Sequence, residues 1–263
     1  MQYHPHSSHN NDIDIHSVNV TQENPWAEMG KMVTGLVILI VGCIISVNVL
    51  VDLSITFVPQ RLERYFATSF NEEVNTANTN IFMTQRVQPI LKQLVEQLPD
   101  NERDLDYQIR VINNGDDTIN AGSYPGGHMV MYQALIEHAS NDDELAFVLG
   151  HELGHYHHRH HLKGLGKGVI LSVLAATFLG NNVSIPIGDK VAGAVLLNFS
   201  REDEYDADDF AYSLTQQAGY DPEKGLLFFE KMTSAQLDWF STHPASDNRI
   251  QRLRDKHPLA SFK

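Results

Sequence analysis

Two histidines and a glutamate near the middle of the chain have the residue types and the spacing of a metal-dependent hydrolytic site. His151, Glu152 and His155 form an H-E-x-x-H motif. Because an α-helix turns about 100° per residue, His151 and His155 would share one face and offer two imidazole nitrogens to a single metal ion. Glu152 would point to the side, where it could hold a metal-bound water. This pattern predicts the core of a zinc peptidase.

The residues around the motif predict a buried helix. Asn141 is a suitable N-cap, and Glu144 stands where its side chain can reach back to the amide of the cap. Apolar residues then recur at helical spacing and would bury the helix in a core: Leu145, Val148, Leu149 and Leu153. An unpaired buried polar group costs about 1–3 kcal/mol, so histidines and a glutamate on a buried helix favour metal ligation over a solvated polar face.

A catalytic zinc also requires a third protein ligand and an open position for water. The best candidate segment is residues 200–208, where Ser200 can cap a second helix with Asp203 at position N3. Glu204 and Asp208 are four residues apart and share a face, so one can ligate the metal while the other accepts an N–H from a ligating histidine. The remaining acidic side chains are interpreted as a solvated helix start: Glu202, Asp203 and Asp206.

These motifs resemble those of the HtpX-like and type I CAAX prenyl protease family of membrane-associated zinc peptidases. H-E-L-G-H is followed by Arg159-His160, and S-R-x-x-E-Y-x-A-D fills residues 200–208. The stretch from Asn120 to His128, which includes P-G-G, and the stretch S-T-H-P with Arg249-Ile250 are similar to the family as well. Four motifs in the family's order between residues 80 and 255 are far more specific than the pentapeptide alone.

The resemblance implies roles for individual residues. Glu204 would be the third zinc ligand, and Asp208 would orient a ligating histidine. His243 would lie near the metal, as a transition-state stabiliser or as an alternative ligand, and Arg249 would help to organise the site. The fold implied is mainly α with a small β-sheet (α+β), a zincin-like domain that binds one zinc per chain. The chain departs from the family in the extra histidines after the motif, His157, His158 and His161, and in the residues before P-G-G, Gly122, Ser123 and Tyr124.

A strand before the P-G-G sequence could bind substrate. If Asn120, Ala121 and Gly122 lie at the edge of a sheet, an extended substrate could pair with their backbone without requiring one particular side chain. An ordinary strand inside the sheet is the alternative interpretation.

Composition excludes some classes of protein. The net charge of −14 argues against a nucleic-acid partner, because such proteins need positive charge to meet phosphate. Cys43 is the only cysteine, so an intrachain disulfide and a zinc site of several cysteines are excluded.

Four regions are predicted along the chain. Residues 1–31 form a polar tail that is predicted to be disordered. Residues 32–51 carry no formal charge and are long enough to cross a bilayer, so they predict a transmembrane anchor. Residues 52–75 are a juxtamembrane segment, and residues 76–263 are the metallopeptidase domain. Few charges flank the anchor, so they do not fix its orientation.

Local patterns predict the elements of the domain. An amphipathic helix is kinked or begun at Pro89 and stopped by Pro99, and a strand follows at Gln108 to Asn113. Helices are also predicted from Met129, from Asp221-Pro222 and over residues 246–256. The apolar segment of residues 164–180 is interpreted as a buried hairpin arm, with a mobile or membrane-dipping lid as the alternative.

The sequence as a whole predicts a membrane-anchored zinc endopeptidase that acts on protein or peptide substrates at a lipid bilayer. The resemblance suggests quality control of membrane or envelope proteins, at a bacterial inner membrane with the domain in the periplasm. One alternative is an inactive chaperone or scaffold, against which the intact Glu152 argues. The other is a zinc-handling protein with several weak sites, built on the histidines after the motif and on those of the tail: His4, His6, His9 and His16. The sequence makes no prediction of oligomeric state.

Overall fold

The computed structural model describes residues 24–57, 79–103, 105–113, 115, 117–124, 126–164, 166, 199–232, 243 and 247–257. Within them the helices are α1 (Pro25–Thr56), α2 (Ile81–Val95), α3 (Asp100–Arg103), α4 (Gln133–His138), α5 (Asp142–His157), α6 (Arg201–Gln217), α7 (Pro222–Lys231) and α8 (Asp247–Lys256). The strands are β1 (Gln108–Ile112), β2 (Ala121–Tyr124) and β3 (His128–Tyr132). The fold is mainly α with a small β-sheet, as predicted. The chain divides into two compact units, Met1–Val47 and Asn48–Lys263.

Helix α1 has the length and composition of a membrane span. Its most apolar window has a mean hydropathy of 2.7, and only 6% of that window is buried, whereas the core helix of a soluble protein would be mostly buried. The helix is longer than the predicted anchor at both ends. Residues 25–31, predicted as part of the disordered tail, are helical, and Asn24 Oδ1 accepts a hydrogen bond from Trp26 N–H at its start. The remaining tail (1–23), residues 58–75 of the juxtamembrane segment and residues 167–180 of the predicted arm or lid lie outside the described residues.

The three strands form one sheet in the order β1-β3-β2. The central strand β3 pairs with β1 in parallel. It pairs with β2 in antiparallel orientation, with Ala121 opposite Met131. Gly126 and Gly127, both at positive φ, make the turn between β2 and β3. The strand predicted from Gln108 is confirmed, but the helix predicted from Met129 is wrong. Met129–Tyr132 belongs to β3, because it pairs with a strand on either side, and α4 begins at Gln133.

Polar side chains cap the starts of helices α2 and α7. Asn80 accepts the N–H of Met83 and starts α2 at Ile81. The amphipathic helix is therefore confirmed with Pro89 inside it, and of the two predicted alternatives the start at Pro89 is wrong. Asp221 accepts the N–H groups of Glu223 and Lys224, which confirms the predicted cap of α7. The main core joins the sheet to α2, α5, α6 and α7, with these residues fully buried: Val87, Leu94, Val111, Met131, Leu145, Val148 and Phe228.

Helix α5 packs in close contact with α6 at Gly154, inside the H-E-x-x-H motif. A Cβ added there would lie 2.8 Å from the Cα and 2.9 Å from the carbonyl oxygen of Ala207. Both are backbone atoms, which cannot avoid the overlap by a change of rotamer as a side-chain atom can. Glycine at position 154 therefore allows the two helices that carry the candidate ligands to pack in contact.

Gly154→Ala is expected to lower the free energy of unfolding by about 1–3 kcal/mol, because the extra methyl group forces the two backbones apart. Denaturant unfolding of the metal-free protein measures this loss. Gly150→Ala on the same helix is the matched control. Its Cβ would lie 3.2 Å from the Thr215 hydroxyl and 3.3 Å from the Cα of Ala211, a milder overlap than the 2.8 Å at Gly154, and alanine favours the helix. An equal decrease in the free energy of unfolding for the two variants would show that the contact with the Ala207 backbone does not make position 154 more sensitive than position 150.

Candidate active site

Helix α5 carries His151, Glu152 and His155 as predicted. Asn141 Oδ1 accepts the N–H of Glu144 at 3.0 Å, which confirms the N-cap. The Glu144 carboxylate reaches back one residue further than predicted, to the N–H of Ser140 at 2.9 Å. The helix is buried from Glu144 to Tyr156, on all sides and not only along the predicted stripe. Polar side chains in such a position need partners of their own.

Helix α6 carries Glu204 and Asp208. The cap at its start is confirmed as a full capping box, because the Ser200 hydroxyl accepts the N–H of Asp203 and the Asp203 carboxylate accepts the N–H of Ser200. Glu204 is 0% and Asp208 2% exposed, and both lie on the face that packs against α5.

Four side chains place one donor atom each at a common centre. His151 Nε2 lies 3.0 Å from His155 Nε2 and 3.5 Å from Glu204 Oε2, and His155 Nε2 lies 3.4 Å from Glu204 Oε1. His243 Nδ1 lies 3.3 Å from His151 Nε2 and 3.2 Å from Glu204 Oε1. Ligands about 2.0–2.1 Å from a tetrahedral zinc stand roughly 3.3 Å apart, so these separations fit a single small ion.

The charges of this four-donor cluster also favour a cation. Burial alone would raise the pKa of Glu204, but His243, His155 and Arg249 hold that pKa well below its usual range. Burial lowers the pKa of His155, so its ring is neutral and can act as a metal ligand. Burial also acts to lower the pKa of His243, yet the Glu204 carboxylate raises it overall. The ionised Glu204 carboxylate therefore favours a positive charge at the centre of the four-donor cluster.

Glu152 lies beside the four donors but is not one of them. Its carboxylate is buried, and neither oxygen accepts a hydrogen bond from the described residues, although His243 Nε2 is 3.5 Å from Oε1. A buried carboxylate of this kind fits a site where a metal-bound water donates the missing hydrogen bond.

Asp208 and Arg249 contact residues of the four-donor cluster without contributing a donor atom to it. Asp208 Oδ1 lies 3.0 Å from His151 Nδ1, on the side of the ring that faces away from the other donors. Arg249 donates from Nε and Nη2 to the two oxygens of Asp208 at 2.8 and 2.6 Å, and its Nη1 lies 2.5 Å from Glu204 Oε2. Burial would raise the pKa of Asp208, but the Arg249 guanidinium holds it below the usual value.

Two residues at the site were missed by sequence reasoning. His160 enters the sequence analysis only through the family resemblance, and the local pattern predicts a solvated Asp203. His160 is 2% exposed, and its Nδ1 lies 3.0 Å from His155 Nδ1, while its Nε2 lies 3.3 Å from Asp203 Oδ1. Burial lowers the pKa of His160 to about 3, so the ring is neutral at pH 7.

The other extra histidines contact different partners. His157 Nδ1 lies 2.9 Å from both oxygens of the Glu102 carboxylate, and its ring stacks on Phe210. The buried His161 ring stacks on Tyr156. A second group of donor atoms within 4.8 Å of one another is formed by His158, His160 and Asp206.

The candidate substrate strand lies at one edge of the described sheet. β2 follows Asn120, whose side chain accepts the N–H of Ala121 at 2.8 Å. Ala121, Gly122 and the rest of β2 are buried, so a substrate can pair there only where this edge becomes uncovered.

Comparisons with known proteins show which proteins this chain is similar to. The model of peptidase family M48 matches residues 83–257. The mitochondrial metalloendopeptidase OMA1 of Arabidopsis thaliana is 31% identical over 153 residues, 57% of this chain and 31% of that protein. The beta-barrel assembly-enhancing protease of Yersinia pestis is 28% identical over 179 residues, 59% of this chain and 36% of that protein. Metalloprotease LoiP of Escherichia coli (strain K12) is 31% identical over 156 residues, 52% of this chain and 58% of that protein.

The chain therefore spans between about a third and somewhat over half of the length of these relatives. The family model covers one stretch of this chain, from within α2 to the end of α8. Because that stretch is more than half of the sequence, this chain belongs to peptidase family M48.

Proposed function

We propose that this chain is a membrane-anchored zinc endopeptidase with one catalytic zinc. The observation that carries the proposal is the convergence of His151, His155 and Glu204 on one centre, with the buried Glu152 beside them. Nitrogen and oxygen donors at tetrahedral separations suit zinc better than the larger, oxygen-bound cations.

The chain's own side chains would divide the reaction between them. His151, His155 and Glu204 would hold the zinc, which supplies a Lewis acid that lowers the pKa of water toward about 7 and polarises the scissile carbonyl. Glu152 would take the proton from the attacking water and pass it to the leaving amine. Asp208 would keep the proton of His151 on Nδ1, so that Nε2 stays free to bind the metal.

His243 has two candidate roles in this scheme. Its Nδ1 stands among the donor atoms, which supports a role as an alternative ligand. Its Nε2 faces Glu152, which supports a hydrogen bond to the developing oxyanion. Arg249 would organise the site by fixing Asp208 and Glu204 together.

Protein or peptide substrates would bind in extended form along β2. The backbone of Asn120, Ala121 and Gly122 would provide the pairing groups. For pairing to occur, the Asn120 side chain would have to release the N–H of Ala121 that it now binds.

The lipid bilayer would be the second partner, through α1. One relative is named for enhancing the assembly of β-barrels, which supports a role in the quality control of membrane or envelope proteins. A bacterial inner membrane with the domain on the periplasmic side is the location we propose. Nucleic acid is not expected as a partner because of the strong negative charge.

Removal of the metal tests this proposal. Dialysis of the purified full chain against a zinc chelator is expected to abolish cleavage of casein, and one equivalent of zinc is expected to restore it. Magnesium added to the same sample is the control and should restore nothing, because it prefers six oxygen ligands. Cleavage that survives complete zinc removal would contradict the proposal. One bound zinc without cleavage of any protein substrate would favour the alternative of an inactive chaperone or scaffold.

A further inference from the structure

Both ring nitrogens of His155 are engaged. Its Nε2 faces the other donors of the cluster, and its Nδ1 lies 3.0 Å from Nδ1 of His160. The ring is also stacked on Phe199, with ring centroids 3.8 Å apart. A small rotation of the His155 ring would therefore disturb all of these contacts at once.

The positions of the protons follow from these contacts. Two imidazole nitrogens 3.0 Å apart share one hydrogen, so one donates and the other accepts. A metal-binding Nε2 must present a lone pair, which places the proton of His155 on Nδ1. His160 Nδ1 is then the acceptor. Its Nε2 faces Asp203 Oδ1 at 3.3 Å, an electrostatic contact without hydrogen-bond geometry.

Asp203 is itself held in place. Its Oδ2 accepts from the N–H of Ser200 at 3.0 Å and from the Ser200 hydroxyl at 2.7 Å, while its Oδ1 faces His160. Asp203 also precedes Glu204 directly. The first turn of α6 therefore supplies one candidate ligand and, through His160, fixes another on α5.

We propose that His160 is a positioning residue, which holds His155 in the tautomer and orientation that bind the metal, and that Asp203 fixes His160 in turn. The inference rests on the proposed function, since it assigns the metal to Nε2 of His155. The two histidines of the motif are then oriented differently. His151 faces a carboxylate directly, whereas His155 reaches one through a second imidazole.

The same side chains also allow another arrangement, in which a second metal ion binds His158, His160 and Asp206. That ion would need an unprotonated nitrogen of His160 whose lone pair is available for coordination. In the arrangement proposed here Nδ1 faces His155 and Nε2 faces Asp203, so a metal ion on either nitrogen would replace one of these contacts, and the two arrangements exclude each other. The number of metal ions bound decides between them.

The experiment measures zinc affinity by chelator competition in the full chain, with Glu152→Gln as the parent to prevent self-cleavage. His160→Leu removes the acceptor and is expected to weaken zinc binding about 10–100-fold. His160→Asn places an amide oxygen near the position of Nδ1 and should recover most of this loss. His158→Leu removes a donor of the second candidate site, whose ring stacks on His160 at 5.4 Å but has no described contact with His155, and should bind one zinc as the parent does.

Each outcome has one meaning. Absence of zinc binding in the parent would overturn the proposed function. If the parent binds one zinc and His160→Leu binds it with the same affinity, only the role of His160 is overturned. Equal weakening by leucine and asparagine, with unchanged unfolding of the metal-free proteins, would also overturn that role. A fall from two zinc ions to one in His158→Leu would establish the second metal site instead. If His160→Leu does not fold, His160→Asn is compared with His160→Gln, whose amide cannot reach the position of Nδ1 and should bind zinc more weakly.

Discussion

Replacing Glu152 with glutamine is expected to lower the rate of peptide cleavage by about 10²–10⁴-fold and to leave zinc binding unchanged. The amide has the shape of the carboxylate but cannot accept the proton of the attacking water. Glu152 contributes no atom to the four-donor cluster, so the metal site should keep its ligands. Cleavage of casein and the zinc content of the same preparation measure the two halves of this prediction.

Glu202→Gln is the matched control for Glu152. It removes the same charge from an exposed residue at the start of α6, which touches none of the candidate ligands in the described contacts. Its cleavage rate should stay close to that of the unmodified chain. A Glu152→Gln variant that cleaves as fast as this control would show that another group accepts the proton.

Replacing Arg249 with methionine is expected to lower the free energy of unfolding of the metal-free protein by about 3–5 kcal/mol. Arg249 is the cation that lies between the carboxylates of Asp208 and Glu204, and all three side chains are almost fully buried. Without it, two negative charges would face each other away from water. Denaturant unfolding measures the loss, and added zinc should recover part of it by neutralising Glu204.

Arg252→Met provides the matched control, one turn along α8. Arg252 pairs with Asp209 of α6 through both of its terminal nitrogens, but its side chain is 30% exposed. Such a pair contributes about 0–1 kcal/mol because water screens it. Losses of equal size in the two variants would contradict the assignment of Arg249 to a buried network.

Sequence predicts best those parts of this fold that are determined locally. The caps at Asn141, Ser200 and Asp221 act within one turn of a helix, and the structure confirms all three. The candidate ligands of the H-E-x-x-H motif share a face because of helical spacing alone. Met129–Tyr132 was predicted as helix because its strand conformation depends on pairing with β1 and β2, which the local pattern does not contain.

The full set of side chains at the site could not be predicted from local pattern. Asp203 and His160 are 43 residues apart in the sequence, and only the packing of α5 on α6 brings them together. Gly154 makes that packing possible, but its partner Ala207 carries no signal of its own. The roles of Glu204, His243 and Arg249 came from a family resemblance, and they remain predictions supported by the distances between the side chains.

The most direct test of the account is the number of zinc ions bound per chain, measured by elemental analysis of the purified full chain and of Glu204→Gln. We expect one tightly bound zinc in the unmodified chain and loss of that zinc in the variant, because the amide cannot replace the carboxylate ligand. No tightly bound metal, or several weak ions that Glu204→Gln leaves in place, would contradict a single catalytic zinc at this site.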